Sequence, residues 1–270
     1  MKHTVDGRLR RIEGRHNPLL KELRKAFAHG ECTDDGYCAI EGLRIVEEAV
    51  RSGLRFRATF FSESAENLAD RLLPQMGAHV ETVVLPDSLF AGAVSSENPQ
   101  GIAALVRFKD FSVDDVLHRA QSGPLLAIAG IQDPGNLGTI LRSAEAFEAA
   151  GILLGEGTVS QFNAKAVRAS AGSVFRLPMA RTDLIGITGK MREAGLRLVA
   201  TTSHKGTSIL EAELGSPLAV FIGNEGSGLS RELLSQMDEV IVIPHSAKVE
   251  SLNAGVAASI VLYEASKHRT

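Results

Sequence analysis

The sequence predicts an α/β protein in two parts, a small N-terminal α/β domain followed by a C-terminal domain built on a parallel sheet. Three observations carry this. From Leu125 onward, short runs that are apolar throughout ("LLAIAGI", "GILLGE", "LRLVATT", "LAVFIG", "EVIVIP") alternate with helical segments. Strands apolar on both faces and interleaved with helices belong to a parallel sheet covered on both sides. Residues 109–123, "KDFSVDDVLHRAQSG", are polar, carry mixed charge and end at a Gly-Pro break, which is linker composition. The 270 residues, with a hydrophobic fraction of 44%, suffice for two buried cores. The expected division is therefore residues 1–108, a linker at 109–123, and residues 124–270.

Residues 1–30 read as a basic arm leading into a short helix around "NPLLKELRKAF". Eight Lys and Arg stand there against three Asp and Glu, although the whole chain has a net charge of −3. Arg8, Arg10, Arg11 and Arg15 are either contacts for phosphates or one solvated face. "GYCAIEGLRIVEEAVRSG" gives a strand-like start and an amphipathic helix closed by Gly53. "RATFFSE", "HVETVVLP" and "GIAALVRF" have strand length and composition. In the second domain helices are expected at 136–150, 163–175, 183–194, 230–237 and 251–267.

Composition excludes several classes. No apolar run is long enough to cross a membrane, and the N-terminus has no apolar segment of the secretory kind, so a cytoplasmic protein is expected. Cys32 and Cys38, in "CTDDGYC", lack the spacing and the further ligands of a metal site and are expected to be reduced loop thiols; no metal is expected.

Ligands of parallel sheets bind at the carboxyl ends of strands, which directs attention to the segments after Ile131, Thr201, Gly223 and Ile243. After the first strand, "IQDPGNLGTILRSAEAF" has no GxGxxG, so neither a Rossmann dinucleotide site nor an ordinary S-adenosylmethionine methyltransferase fits. Asn136 is a helix cap or a polar group facing the sheet edge. Arg142 either pairs with Glu145 on the surface or projects into the cleft. "FIGNEGSGLS" resembles a phosphate loop, but Glu225 would repel a phosphate at contact distance. Its glycines permit close approach of a ligand carrying hydroxyls, amines or positive charge. In "IPHSAKVESLNAGVAASIVLYEA", Ser251 or Asn253 begins a helix apolar nearly all round, as in a core or a subunit interface.

Together, "DPGNLGTILRSAEAF", "FIGNEGSGLS" and "IPHSAKVESLNAGVAASIVLYEA" resemble the three motifs of the SpoU (TrmH-type) RNA 2′-O-ribose methyltransferases of the SPOUT superfamily, in order and spacing. "FNAKAVRASAGSVFRLP" is similar to the stretch between the first and second motifs, and "GYCAIEGLRIVEEAV" with "ENPQGIAALV" is similar to a ribosomal-protein-like substrate-binding domain. The resemblance implies a trefoil-knotted α/β domain, a homodimer, S-adenosyl-L-methionine as cofactor and RNA, most of all rRNA, as substrate. It implies catalytic or site roles for Asn136, Arg142, Glu225, Ser251 and Asn253, and cofactor contacts around Thr201, Gly223, Ile243 and Leu252. Two positions depart from the family pattern: His245 and Ala247 stand where Met and Gly are usual, and "SLNAGVA" replaces "SLNVSVA". Transfer of methyl to a ribose hydroxyl needs positioning and a cation near the developing alkoxide, a role that suits Arg142. The competing readings are a non-catalytic RNA-binding protein on the same scaffold, tRNA as the substrate, and an enzyme acting on a nucleotide phosphate.

Overall fold

The computed structural model describes residues 7–215 and 217–268. It divides into two compact units, residues 1–109 with 160–175, and residues 110–159 with 176–270. Residues 160–175, which lie inside the stretch assigned above to the second domain, thus pack with the first.

The first unit holds a five-stranded mixed sheet: β1 (Leu9–Arg11), β2 (Cys38–Glu41), β3 (Arg55–Ser62), β4 (Glu81–Leu85) and β5 (Ile102–Arg107), in the order β1-β4-β3-β5-β2. β4 runs parallel to β1 and β3, and β5 is antiparallel to β3 and β2. The helix Pro18–His29 starts as "NPLL" predicts: Asn17 accepts from the Leu19 N–H, Pro18 occupies the first turn, and Leu19, Leu20, Leu23 and Ala26 are buried. Part of the expected basic arm is the edge strand β1, anchored where Ile12 donates to the Val84 carbonyl (3.0 Å) and buries its side chain. Its three residues, two of them arginines, carry no period-two apolar signal.

The expectation of two reduced thiols is corrected, since Cys32 and Cys38 form a disulfide. A tight turn explains it. The Thr33 N–H donates to the Tyr37 carbonyl (2.7 Å) and the Gly36 N–H to the Thr33 carbonyl (2.8 Å), folding the segment back so that the two Cα atoms lie 4.2 Å apart.

Residues 160–175 add a helix, Ala164–Ala169, capped by Asn163, whose side chain accepts from the Lys165 N–H (2.9 Å). The helix expected to reach 175 ends earlier because Ala171 and Gly172 take positive φ (51° and 92°), which α-helix forbids. The segment is tied into the first unit at two places. Phe162 and Phe175 both meet the Phe108 ring edge-on at 5.1 Å. Arg168 lies 3.5 Å from the carboxylate of Glu41, a buried group that also accepts from the Ser96 hydroxyl (3.0 Å).

The second unit is a seven-stranded, wholly parallel sheet: β6 (Leu125–Ile128), β7 (Gly151–Leu154), β8 (Met179–Arg181), β9 (Arg197–Thr202), β10 (Thr207–Ser208), β11 (Leu218–Ile222) and β12 (Glu239–Val242), in the order β10-β12-β9-β11-β6-β7-β8. β6, β7 and β11 are buried at every position, as their unbroken apolar runs predict. Two helices, Pro134–Ala146 and Ala254–Lys267, pack together. Gly255 permits the approach: a Cβ there would stand 3.1 Å from Thr139. The Ser143 and Ser259 hydroxyls hydrogen-bond across the same interface (2.6 Å). Because all strands run one way, the segments after β6, β9, β11 and β12 leave from one edge of the sheet. No helix among the described residues is long and apolar enough to cross a membrane.

Candidate active site

The site is built from three of those segments. After β6, Asp133 caps the Pro134–Ala146 helix by accepting from the Asn136 N–H (2.8 Å). The cap is therefore Asp133, and Asn136 is the third helical residue, with its side chain available for another partner. That partner is the loop after β11, where the Asn136 Nδ2 donates to the Glu225 carboxylate. From the third segment, Asn253 caps the last helix: its Oδ1 accepts from the Gly255 (3.0 Å) and Val256 (3.2 Å) N–H groups, while its Nδ2 donates to Asn136 Oδ1 (2.8 Å). Since backbone N–H groups can only donate, the Asn253 amide has one workable orientation, and this fixes Asn136 and aims its donor at Glu225. Residues 136, 225 and 253 are thereby joined in one hydrogen-bonded chain.

Beside Glu225 lies a cavity of about 280 Å³. Its lining includes Thr201, Gly223, Ile243 and Leu252, together with Glu225 and Ser251. Ile222, Leu229, Leu234, Ala254 and Ala257 supply an apolar wall, and the loop backbone from Gly223 to Gly228 supplies polar groups. Glu225 and His245 are the ionisable side chains of the lining, with no Lys or Arg among them. His245 Nδ1 lies 2.7 Å from the Ile243 carbonyl, which can only accept, so Nδ1 is the donor and Nε2 is left as an acceptor. The loop folds on itself tightly: a Cβ on Gly223 would fall 2.5 Å from the Gly228 carbonyl carbon and 2.6 Å from the Leu229 nitrogen. Among the described residues no group of three or more His, Cys, Asp or Glu is placed to hold a metal ion.

The remaining candidates are placed differently. Arg142 is exposed and has no hydrogen-bond or ion-pair partner among the described residues. The surface pair with Glu145 does not form, because Glu145 is engaged by Arg176 (Nη2 to Oε2, 2.8 Å). In the first unit, Arg8 donates to the Leu73 (3.1 Å) and Gly77 (2.9 Å) carbonyls, and Arg11 pairs with Glu66 (2.7 Å) and Glu63 (3.8 Å). Arg10 stands 3.9 Å from Glu81, and only the backbone carbonyl of Arg15 is engaged, by Arg24 (3.1 Å). The sequence reading missed Asn224, whose side chain ties the glycine loop to the segment after β6.

Residues 124–263 match the model of the SpoU rRNA Methylase family, and residues 17–104 match an MRM3-like substrate binding domain. The chain is 29% identical to the 23S rRNA (guanosine(2553)-2'-O)-methyltransferase RlmP of Bacillus subtilis, over 94% of this chain and 98% of the relative. It is 34% identical to an uncharacterized tRNA/rRNA methyltransferase of Synechocystis sp., over 96% and 94%. Among solved structures, the SpoU methyltransferase AviRb from Streptomyces viridochromogenes in complex with AdoMet is similar, with a TM-score of 0.80 and 26% identity over 93% of this chain and 98% of that one. An AdoMet-bound rRNA methyltransferase from Sinorhizobium meliloti gives a TM-score of 0.80 and 27% identity over 97% and 99%.

Proposed function

Because the chain belongs to the SpoU rRNA methylase family, it is an S-adenosylmethionine-dependent RNA methyltransferase, and we propose that it methylates a ribose 2′-hydroxyl of ribosomal RNA with Asn136, Arg142, Glu225, Ser251 and Asn253. The observation that carries this reading is the chain Glu225–Asn136–Asn253 beside a cavity lined by Thr201, Gly223, Ile243 and Leu252.

The lining suits the cofactor. S-adenosylmethionine supplies an electrophilic methyl group on a positively charged sulfur. A lone carboxylate with no Lys or Arg nearby favours a cation, the apolar wall suits an adenine, and the loop backbone offers partners to ribose hydroxyls. Glu225 is held by Asn136, so its charge is fixed in place before any ligand arrives, which is how electrostatic stabilisation is made efficient. Ser251 is exposed and borders the cavity, and it is assigned to hydrogen-bond the incoming ribose. Arg142 has no hydrogen-bond or ion-pair partner among the described residues, and its guanidinium is assigned to the developing alkoxide.

The same reading includes a trefoil knot in the second unit and a homodimer. Supporting the knot, β12 lies inside the sheet between β10 and β9, and residues from the two segments after β11 and β12 share one cavity. Supporting the dimer, Val256 and Tyr263 leave an apolar stripe exposed on the last helix, seven residues apart. Ribosomal RNA as substrate fits a cytoplasmic enzyme. Of Arg8, Arg10, Arg11 and Arg15, Arg10 and Arg15 are the less engaged, and they are assigned to RNA phosphates; Arg8 and Arg11 would have to exchange the contacts they make now.

Calorimetry with S-adenosylmethionine tests the cofactor site, and absence of binding at millimolar ligand refutes it. Arg142→Ala is expected to keep cofactor affinity within about twofold while abolishing methyl transfer, as expected for a group that acts in the transition state. Unchanged transfer removes Arg142 from the site. Mapping methylated riboses in rRNA and tRNA, from cells with and without the gene, separates the two substrates.

A further inference from the structure

The glycine loop is cross-tied to two neighbouring strand ends by contacts that the reaction does not use. Gly228 N–H donates to the Asn224 carbonyl (2.8 Å), closing residues 224–228 into a ring with Glu225 inside it. Asn224 Oδ1 accepts from the Gly226 (2.8 Å) and Ser227 (3.3 Å) N–H groups, so the side chain braces the ring from within. Its Nδ2 donates to the Gly130 carbonyl (2.8 Å), in the segment after β6. The same Gly130 is held from its other side, where its N–H donates to the Thr158 hydroxyl (3.1 Å), which in turn donates to the Ile128 carbonyl (3.1 Å). Gly130 has φ of +70°, a conformation that a non-glycine residue adopts at a cost. Thr158 is buried.

We infer that Asn224 is a positioning residue for methyl transfer. Through Gly130 and Thr158 it fixes the ring from which Glu225 projects, and so it sets where the carboxylate's charge stands in the cofactor cavity. The inference rests on the assignment of that cavity to S-adenosylmethionine. It accounts for the use of Asn at 224: the position needs an acceptor for two N–H groups and a donor for one carbonyl, which a primary amide supplies. Asp would keep the acceptor and set a charged oxygen against the Gly130 carbonyl.

The test is a double-mutant cycle on S-adenosylmethionine affinity with the full chain, using Asn224→Asp and Glu225→Gln. If Asn224 acts through Glu225, Asn224→Asp weakens binding about tenfold or more in the natural background and less than about twofold in the Glu225→Gln background. S-adenosylhomocysteine, which lacks the sulfonium charge, should lose much less affinity than S-adenosylmethionine in Asn224→Asp. A merely structural role would weaken both ligands alike and in both backgrounds, and that result overturns the inference, as does unchanged binding. If Asn224→Asp fails to fold, Thr158→Val, which removes the bonds to the Gly130 N–H and the Ile128 carbonyl and leaves Asn224 in place, is expected to show the same coupling with a smaller loss; no coupling there overturns the inference. A wild-type chain that binds no S-adenosylmethionine overturns the assignment of the cavity and this inference with it, whereas binding without coupling overturns the inference alone.

Discussion

Asn253 uses the two ends of one amide in opposite directions. Its oxygen caps the last helix and its nitrogen holds Asn136, so stability and site geometry can be separated by substitution. Asn253→Asp keeps an acceptor for the cap but sets a carboxylate against Asn136. It should melt within a few degrees of the wild type yet lose methyl transfer by about tenfold or more. Asn253→Ala should lose the transfer and, in addition, about 1 kcal/mol of stability with the cap, as urea unfolding would measure. At this scale the sequence offered Asn136, Glu225 and Asn253 as candidates. It was silent on which residues meet, because Asn136, Glu225 and Asn253 are brought together across 89 and 117 positions of chain. Asn136 was legible as a cap because Asn is a good one, but the turn "DPGN" offers Asp133 first, and the observed helix starts there. Asn224 had a usable signal, an Asn followed closely by glycines at a strand end, the usual setting of a side chain that braces its own turn.

Among elements, the loop after β11 depends on one missing side chain. At Gly223 a Cβ would meet backbone atoms, which cannot swing away as a side chain end would. Gly223→Ala should displace the loop and abolish cofactor binding in calorimetry while the sheet, read by far-ultraviolet circular dichroism, persists. The helix Val113–Leu117 illustrates control by capping. The Asp115 carboxylate accepts from the Ser112 hydroxyl (2.7 Å) and N–H (2.8 Å), and Ser112 in return accepts from the Asp115 N–H (3.1 Å). These bonds, the hydroxyl's foremost, hold Asp115 below its ordinary value of 3.8. A carboxylate with a depressed folded pKa stabilises fully above its unfolded pKa, and that contribution fades as pH falls through the folded value. Ser112→Ala should therefore flatten the acid side of the stability curve below about pH 4, measured by urea unfolding across that range. Elements were legible in proportion to their length. The apolar runs of β6, β7, β9, β11 and β12 stood out, whereas β1, β8 and β10 have three, three and two residues, too few to show a period.

For the whole molecule, the division into units does not follow a single cut in the chain. Phe108 has two aromatic neighbours, and Glu41 a cationic partner, that belong to residues 160–175. A fragment of residues 7–109 should be less cooperative and less stable than the same fragment with residues 160–175 added as a peptide, as urea unfolding followed by circular dichroism would show. Restoring the segment relieves a buried carboxylate that otherwise has only Ser96 as a hydrogen-bond donor from residues 7–109, an omission that costs about 1–3 kcal/mol. The change near residue 109 was visible in the sequence, but residues 110–123, expected there as a linker, pack with the second unit and bury Val116, Leu117 and Ala120. The return of a later segment to the first unit was not visible, because it depends on contacts between residues 54 to 127 positions apart.

That return sets a timetable for synthesis. A ribosome that has finished residue 109 must add 66 more before Phe175 exists, roughly 3–13 s at about 5–20 residues per second. During that interval the edges of Phe108 that will meet Phe162 and Phe175 are without them, and the Glu41 carboxylate awaits its cation. The N-terminal unit is begun first and completed only after strands β6 and β7 have been made. Its final closure is therefore timed by the growth of its neighbour rather than by its own folding rate.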